Sequence, residues 1–275
     1  MPASVNEGRF RNEALLIGTE WLADRLGDPD LRIVEVTPPG SGYIFAHIPG
    51  AVYLSLDDVF TGRVSGIRRT IGPIGEVLDT LGRLGITPDR HVVVYDANGG
   101  SESAQVFWLL EYLSFERVSV LEGGAERWMA EERTQTAEIP TVASAAVNGG
   151  TRGDRLATAE WIVARLTDGD VCVVDCRTAQ EFSEGHIPGA RNRSWDRTLR
   201  LDGYQRFREA DDLRAELDAL GVTENREIVT YCNTGQRSAH TYLTLRLLGY
   251  PRLRNYDGSW VEWGDRPDLP KATGA

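Results

Sequence analysis

Short apolar runs alternate along this chain with stretches of helical periodicity. Leu15-Leu16-Ile17, Arg32 to Val36, Val92 to Tyr95 and Val118 to Leu121 have the length and β-branched content of buried strands. Between them, Thr19 is placed to cap a helix running to Leu26, Val77, Leu78, Leu81 and Leu84 mark one helix face, and Glu102 to Leu113 reads as a helix. The second half predicts a helix from Ala159 to Leu166, a strand from Val171 to Asp175 and a helix on Leu213, Leu217 and Leu220. A strand from Ile228 to Tyr231, a helix ended at Leu248 by Gly249, and a last run at Leu253-Arg254-Asn255 follow. Strand and helix in alternation predict an α/β fold with mostly parallel sheets flanked by helices.

The pattern occurs twice. His47-Ile48-Pro49-Gly50-Ala51 returns as His186-Ile187-Pro188-Gly189-Ala190, and Glu122-Gly123-Gly124-Ala125-Glu126-Arg127-Trp128 as Asp257-Gly258-Ser259-Trp260-Val261-Glu262-Trp263. Val92 to Asp96 matches Glu227 to Cys232, and Trp21 and Trp161 open the two halves. Landmarks kept in one order indicate an internal duplication. The stretch between Arg133 and Arg155 is aperiodic and rich in small residues, so the expected division is a first domain over 1–133, a linker over 134–154 and a second domain over 155–275.

A length of 275 residues suits two domains that each bury a core. No apolar run approaches the ~18 residues of a membrane span, and Met1 to Arg11 lacks the basic-then-apolar pattern of a secretion signal, so a cytoplasmic protein is expected, with no membrane partner. The three cysteines, Cys172, Cys176 and Cys232, all lie in the second half, which argues against a disulfide framework. A net charge of −11 argues against nucleic acid as a partner. It also means that an anionic substrate has to be attracted locally.

Candidate chemistry concentrates in Cys232-Asn233-Thr234-Gly235-Gln236-Arg237-Ser238. A cysteine that ends a strand and turns straight into a helix faces unpaired N–H groups and the positive end of the helix dipole. Arg237 adds a full charge, so the sulfur is expected to react as a thiolate. Four residues separate Cys232 from Arg237, a ring sized for one sulfur atom, whereas one more residue would fit a phosphate. This loop resembles the active loop of the rhodanese sulfurtransferases. The resemblance extends to Val173-Val174-Asp175-Cys176-Arg177, to Glu181-Phe182 with Gly185 to Ala190, and to Asn255-Tyr256-Asp257-Gly258-Ser259-Trp260, and through the duplication it covers nearly the whole chain.

The resemblance implies two tandem rhodanese-like domains, of which the first is non-catalytic because Asp96 stands at the cysteine position with no arginine after it. Glu102 and Ser103 depart from the bulky apolar wall common in the family. In the second domain, Cys232 is expected to attack the outer sulfur of thiosulfate, release sulfite and carry a persulfide. Backbone N–H groups from Asn233 through Thr234, Gly235 and Gln236 to Ser238 would hold the sulfur anion, Arg237 would bind the donor, and the Thr234 and Ser238 hydroxyls would add hydrogen bonds. Asp175 and Arg177 are expected to support the loop, and His186, whose twin His47 lies in the domain without a cysteine, to be structural. Cys176 lies near enough to be considered as a resolving thiol. No metal or organic cofactor is implied. The partners implied are a small anionic sulfur donor and an acceptor, either cyanide or a thiol such as a thioredoxin-like protein or a small dithiol. 3-Mercaptopyruvate is the alternative donor, less favoured because Glu181 stands near where an arginine would grip the keto acid. Delivery of the persulfide to a protein partner is the other alternative.

Overall fold

The computed structural model describes residues 9–40, 42–202 and 204–274, so the first eight residues, read above for a secretion signal, lie outside it. In the first half the elements are β1 (Leu16–Ile17), α1 (Thr19–Ala23), β2 (Leu31–Val36), β3 (Val52–Leu54), α2 (Leu56–Val59), β4 (Gly62–Val64), β5 (Ile67–Thr70), α3 (Ile74–Arg83), β6 (His91–Tyr95), α4 (Ser101–Tyr112), β7 (Val118–Leu121) and α5 (Gly124–Ala130). The second half adds β8 (Leu156–Ala157), α6 (Ala159–Val163), β9 (Val171–Asp175), α7 (Ala179–Glu184), β10 (Arg191–Asn192), β11 (Leu199–Asp202), β12 (Tyr204–Phe207), α8 (Ala210–Ala219), β13 (Glu227–Tyr231), α9 (Gln236–Leu248), β14 (Leu253–Tyr256) and α10 (Ser259–Asp265).

Each half forms a five-stranded parallel sheet with the same order, β1-β7-β6-β2-β3 and β8-β14-β13-β9-β10. Strands β2 and β9 are buried at every position, as sheets covered on both faces require. The duplication extends to interior polar pairs. Tyr231 donates to Asp175 and accepts from the Ile187 N–H, and Tyr95 does the same with Glu35 and the Ile48 N–H. No described helix is long and apolar enough to cross a membrane. Residues 134–152 contain no helix or strand and lie along the first domain, where Thr136 pairs with His47 and the Ala145 N–H donates to Gly82.

Three local expectations need correction. Gly18, not Thr19, is the N-cap of α1, and the Thr19 hydroxyl donates to Glu131 instead. Helices α1 and α6 stop at Ala23 and Val163, short of Leu26 and Leu166, because i→i−3 bonds (Arg25 to Leu22, Arg165 to Ile162) tighten the chain into a turn before the next strand. The antiparallel hairpins β4–β5 and β11–β12, too short and too polar to stand out in the sequence, lie outside the main sheets.

The two domains meet along α4 and α9. Both helices are buried almost all round, and Phe107, Leu110, Tyr242 and Leu243 belong to one core that crosses the interface. Glu111 closes this core by accepting from both ends of the Arg246 guanidinium and from the Tyr242 hydroxyl. The helices are related by a local pseudo-two-fold: a side chain at Gly100 would meet His240 at 3.5 Å, and one at Gly235 would meet Gln105 at 3.6 Å. Each hairpin crosses to the other domain. The Ser65 hydroxyl donates to the Val261 carbonyl, while Arg127 lies over the Tyr204 ring.

Candidate active site

Strand β13 ends at Tyr231, and Cys232 begins the loop into α9. The loop is fixed from behind. The Cys232 and Asn233 carbonyls accept from the Trp260 and Val261 N–H groups, and the Cys232 N–H donates to the Ser259 hydroxyl at 3.3 Å. Gly235 takes the left-handed conformation (φ 87°) that turns the chain into the helix, where an added Cβ would crowd the Asp257 carbonyl at 3.2 Å. The Ser238 hydroxyl shares its single proton between the Gly235 carbonyl at 2.9 Å and Asn255 Oδ1 at 2.7 Å. It is therefore a brace inside the loop, which corrects the expectation that it faces the sulfur. Among the described residues, no backbone N–H from Asn233 to Ser238 donates to a protein acceptor. The cysteine ahead of these donors is only 1% exposed.

Arg237 is not a free cation. Its Nη1 and Nη2 donate to Glu181 Oε2 and Oε1 at 2.9 and 2.7 Å. Glu181 lies on α7, whose start is fixed by a capping box between Thr178 and Glu181. The guanidinium, with Thr178 behind it, holds the Glu181 carboxyl down to about 2. Glu181 first, and the Cys232 sulfur after it, raise the guanidinium above its ordinary value. Asn233 is exposed, and Thr234 and Gln236 are partly exposed at the rim.

Asp175 and Arg177 form a buried pair beside the loop. Arg177 Nη2 lies 2.6 Å from Asp175 Oδ2, donates to the Gly185 carbonyl and stacks on Trp260. Both therefore tie β9, α7 and α10 together. His186 Nδ1–H donates to the Phe182 carbonyl, its ring stacks on Phe182 and its backbone pairs with Ala272, while His47 does the corresponding work with Tyr43 and Thr136. Cys176 adjoins the loop, since its N–H donates to the Tyr231 carbonyl, but its sulfur points to the Val174 carbonyl and burial pushes the thiol up.

The corresponding loop of the first domain is one residue longer before its helix, with Gly100 rather than the third residue as the left-handed cap. Asp96 fills it. Oδ1 accepts from the Asn98 and Gly100 N–H groups and Oδ2 from those of Glu102 and Ser103, all within 3.0 Å. The site's anion is thus built into the chain. Two further acids border the Cys232 loop. Asp257 Oδ2 accepts from the Ile71 N–H at 2.7 Å, joining the residue that follows β5 of the first domain to the loop's base, and burial raises it to about 7. Burial, with Asp96 beside it, also raises Glu102 to about 7. Nothing in the sequence marks Ile71 or the depth of Asp257, because their pairing joins positions 186 residues apart.

The two corresponding loops, one with a thiol and the other with a carboxylate at its start, lie in two copies of one domain. Residues 18–131 and 158–266 each match the rhodanese-like domain. The chain belongs to the rhodanese family. It is 36% identical over 272 residues to the thiosulfate sulfurtransferase of Azotobacter vinelandii, covering 95% of this chain and 98% of the relative. It is 32% identical over 287 residues to the sulfur carrier protein TtuD of Thermus thermophilus, covering 96% and 99%. The crystal structure of SseA from Escherichia coli, a 3-mercaptopyruvate sulfotransferase, superposes with a TM-score of 0.80 at 24% identity over 90% of this chain and 98% of that one, which shows the shared fold. This rhodanese is a sulfurtransferase enzyme.

Proposed function

We propose that this rhodanese transfers the outer sulfur of thiosulfate to cyanide or a thiol through a persulfide on Cys232. The observation that carries the reading is the pair of corresponding loops: in one the Asp96 carboxylate takes the backbone N–H groups, and in the other Cys232 stands in its place and the N–H groups that follow have no protein acceptor. The Cys232 thiolate attacks the outer sulfur. A Cys232–sulfur bond forms, the donor's S–S bond breaks, and its electron pair leaves with sulfite. The terminal persulfide sulfur carries the negative charge, and the N–H groups from Asn233 to Ser238 receive it as the Asp96 loop receives its carboxylate. An acceptor then attacks that sulfur and the electron pair returns to Cys232. Arg237 orients the donor while shared with Glu181, Thr234 and Gln236 border the approach, and Asp175 and Arg177 hold the loop's frame. The first domain, over 1–133, acts as a non-catalytic wall, joined by 134–154 to the catalytic domain over 155–275.

Delivery to a protein thiol is a second reading, favoured by the neutralised Arg237 and by likeness to a protein named for sulfur carriage. Initial rates with thiosulfate and with 3-mercaptopyruvate, each with cyanide, a small dithiol and a thioredoxin-like protein as acceptor, test both. Faster thiosulfate turnover to cyanide supports the first reading. Turnover that needs the protein acceptor supports the second.

A further inference from the structure

Glu102 stands two residues after the left-handed cap of α4, and Arg237 stands two residues after the left-handed cap of α9. Where the second domain presents a guanidinium, the first therefore presents a carboxyl, and the pseudo-two-fold brings the two helix starts against each other. Glu102 is 6% exposed and its Oε2 has no hydrogen-bond partner. The side chains that reach it are Asn98 from its own loop and Gln236 from the Cys232 loop. Burial raises it first, Asp96 adds to this from the same loop, and Tyr53 on β3 lies within its electrostatic reach. Across the Cys232 loop lie Asp257, buried at its base, and the closed Arg237–Glu181 pair.

We propose that Glu102 is a specificity-determining residue of the sulfur-transfer site, selecting by charge which donors reach Cys232. The inference rests on the reading of Cys232 as the sulfur-accepting thiol. Protonated, Glu102 is a neutral part of the wall with an O–H that donates to a donor oxygen. Ionised, it adds a negative charge to a cleft whose loop cation is already paired, and disfavours a dianion such as thiosulfate. A carboxyl poised near 7 changes between these states across neutral pH.

Alkylation of Cys232 by iodoacetate, an anion, and by iodoacetamide, its neutral counterpart, tests this in the intact protein, with the modified peptide identified by mass. Both reagents consume the same thiolate, so the ratio of their rates cancels its ionisation and reads the charge around it. In the wild type the iodoacetamide-to-iodoacetate ratio should rise roughly three- to tenfold between pH 6 and pH 8.5, the size expected of one added charge near a partly buried site. In Glu102→Gln, and in Glu102→Leu as a second variant, it should stay flat. A ratio that still rises in both variants overturns the proposal, and so does a rise abolished by Asp257→Asn instead. No sulfur donor takes part, so failure of thiosulfate as substrate leaves this result standing. An unchanged ratio in turn leaves the Cys232 persulfide in place.

Discussion

Arg237 and Glu181 face each other with both guanidinium Nη atoms on both carboxylate oxygens, at 2.9 and 2.7 Å, at the rim of the cysteine loop. A donor anion therefore meets a neutral pair, and the carboxylate competes with the substrate for the same fork. Glu181→Gln should lower the KM for thiosulfate several-fold, with a smaller gain for singly charged mercaptopyruvate. Arg237→Ala should do more harm than loss of a contact, because it leaves Glu181 unpaired beside the sulfur. A drop of roughly ten- to a hundredfold in thiosulfate kcat/KM corresponds to one charge-assisted bond of about 1.5–3 kcal/mol. Arg237→Lys should recover part of it, and adding Glu181→Gln to Arg237→Ala should recover part as well. A double mutant no better than the single would show that Glu181 exerts no charge effect on the donor. With Glu181 held down to about 2, the pair persists across the assay range and is lost only as pH falls toward that value.

Cys232→Ser should abolish turnover, and wild-type protein treated with thiosulfate should gain the mass of one sulfur on the Cys232 peptide. Cys176→Ala should keep activity within a few-fold, because burial keeps that thiol protonated and its sulfur is turned to the Val174 carbonyl. Sulfur mapping to Cys176, or a disulfide between the two after turnover, would restore Cys176 as a resolving thiol.

The frame of this structure was legible in the sequence because its signals are local or repeated. Strands Val118–Leu121 and Val171–Asp175 lie where their apolar runs place them, and the two sheets repeat one strand order as the duplicated motifs imply. The Cys232 loop was legible for the same reason, since cysteine, glycine turn and helix start are contiguous. Partnerships across the fold were not. Nothing near Glu181 in sequence shows that it closes on Arg237, 56 residues away, and nothing near Asp257 shows that it takes the Ile71 N–H from the other domain. The Ser238 hydroxyl escapes the sequence because a helix start determines where its N–H points but not which rotamer its side chain adopts.

Asp257 should give the protein a pH-dependent stability. Burial raises its carboxyl from 3.8 to about 7, so the folded state holds the proton more tightly than the unfolded chain. That contribution is full below pH 3.8 and is lost as pH rises through 7. Asp257→Asn keeps an acceptor for the Ile71 N–H and cannot ionise. Between pH 5 and pH 8 the wild type should lose roughly 2 kcal/mol more than the variant in denaturant unfolding, a tenfold difference in proton affinity being worth about 1.4 kcal/mol. Parallel curves would mean that Asp257 ionises freely in the folded protein.

Asp96 should prove to be a structural anion rather than a lost nucleophile. Its carboxylate, 2% exposed, is the acceptor for four backbone N–H groups at the start of α4. Asp96→Ala leaves the buried Glu102 and Ser103 N–H groups without a partner and should cost about 2–6 kcal/mol, at roughly 1–3 kcal/mol for each group that water cannot reach. Asp96→Asn keeps one acceptor oxygen and removes the charge that complements the helix dipole, so about half of that loss is expected. Thiosulfate turnover should remain near wild type in Asp96→Asn, because Cys232 lies in the other loop. Asp96→Cys puts a thiol in a cradle with donors enough for a sulfur anion. That cradle is one residue longer and carries Glu102 where the catalytic loop carries Arg237. Repulsion from the carboxyl and the wider ring should keep persulfide formation there at least a hundredfold slower than at Cys232, read by peptide mass in a Cys232→Ser background. Comparable rates would show that backbone donors alone make a rhodanese site, and that Asp96 is what keeps the first domain from being a second one.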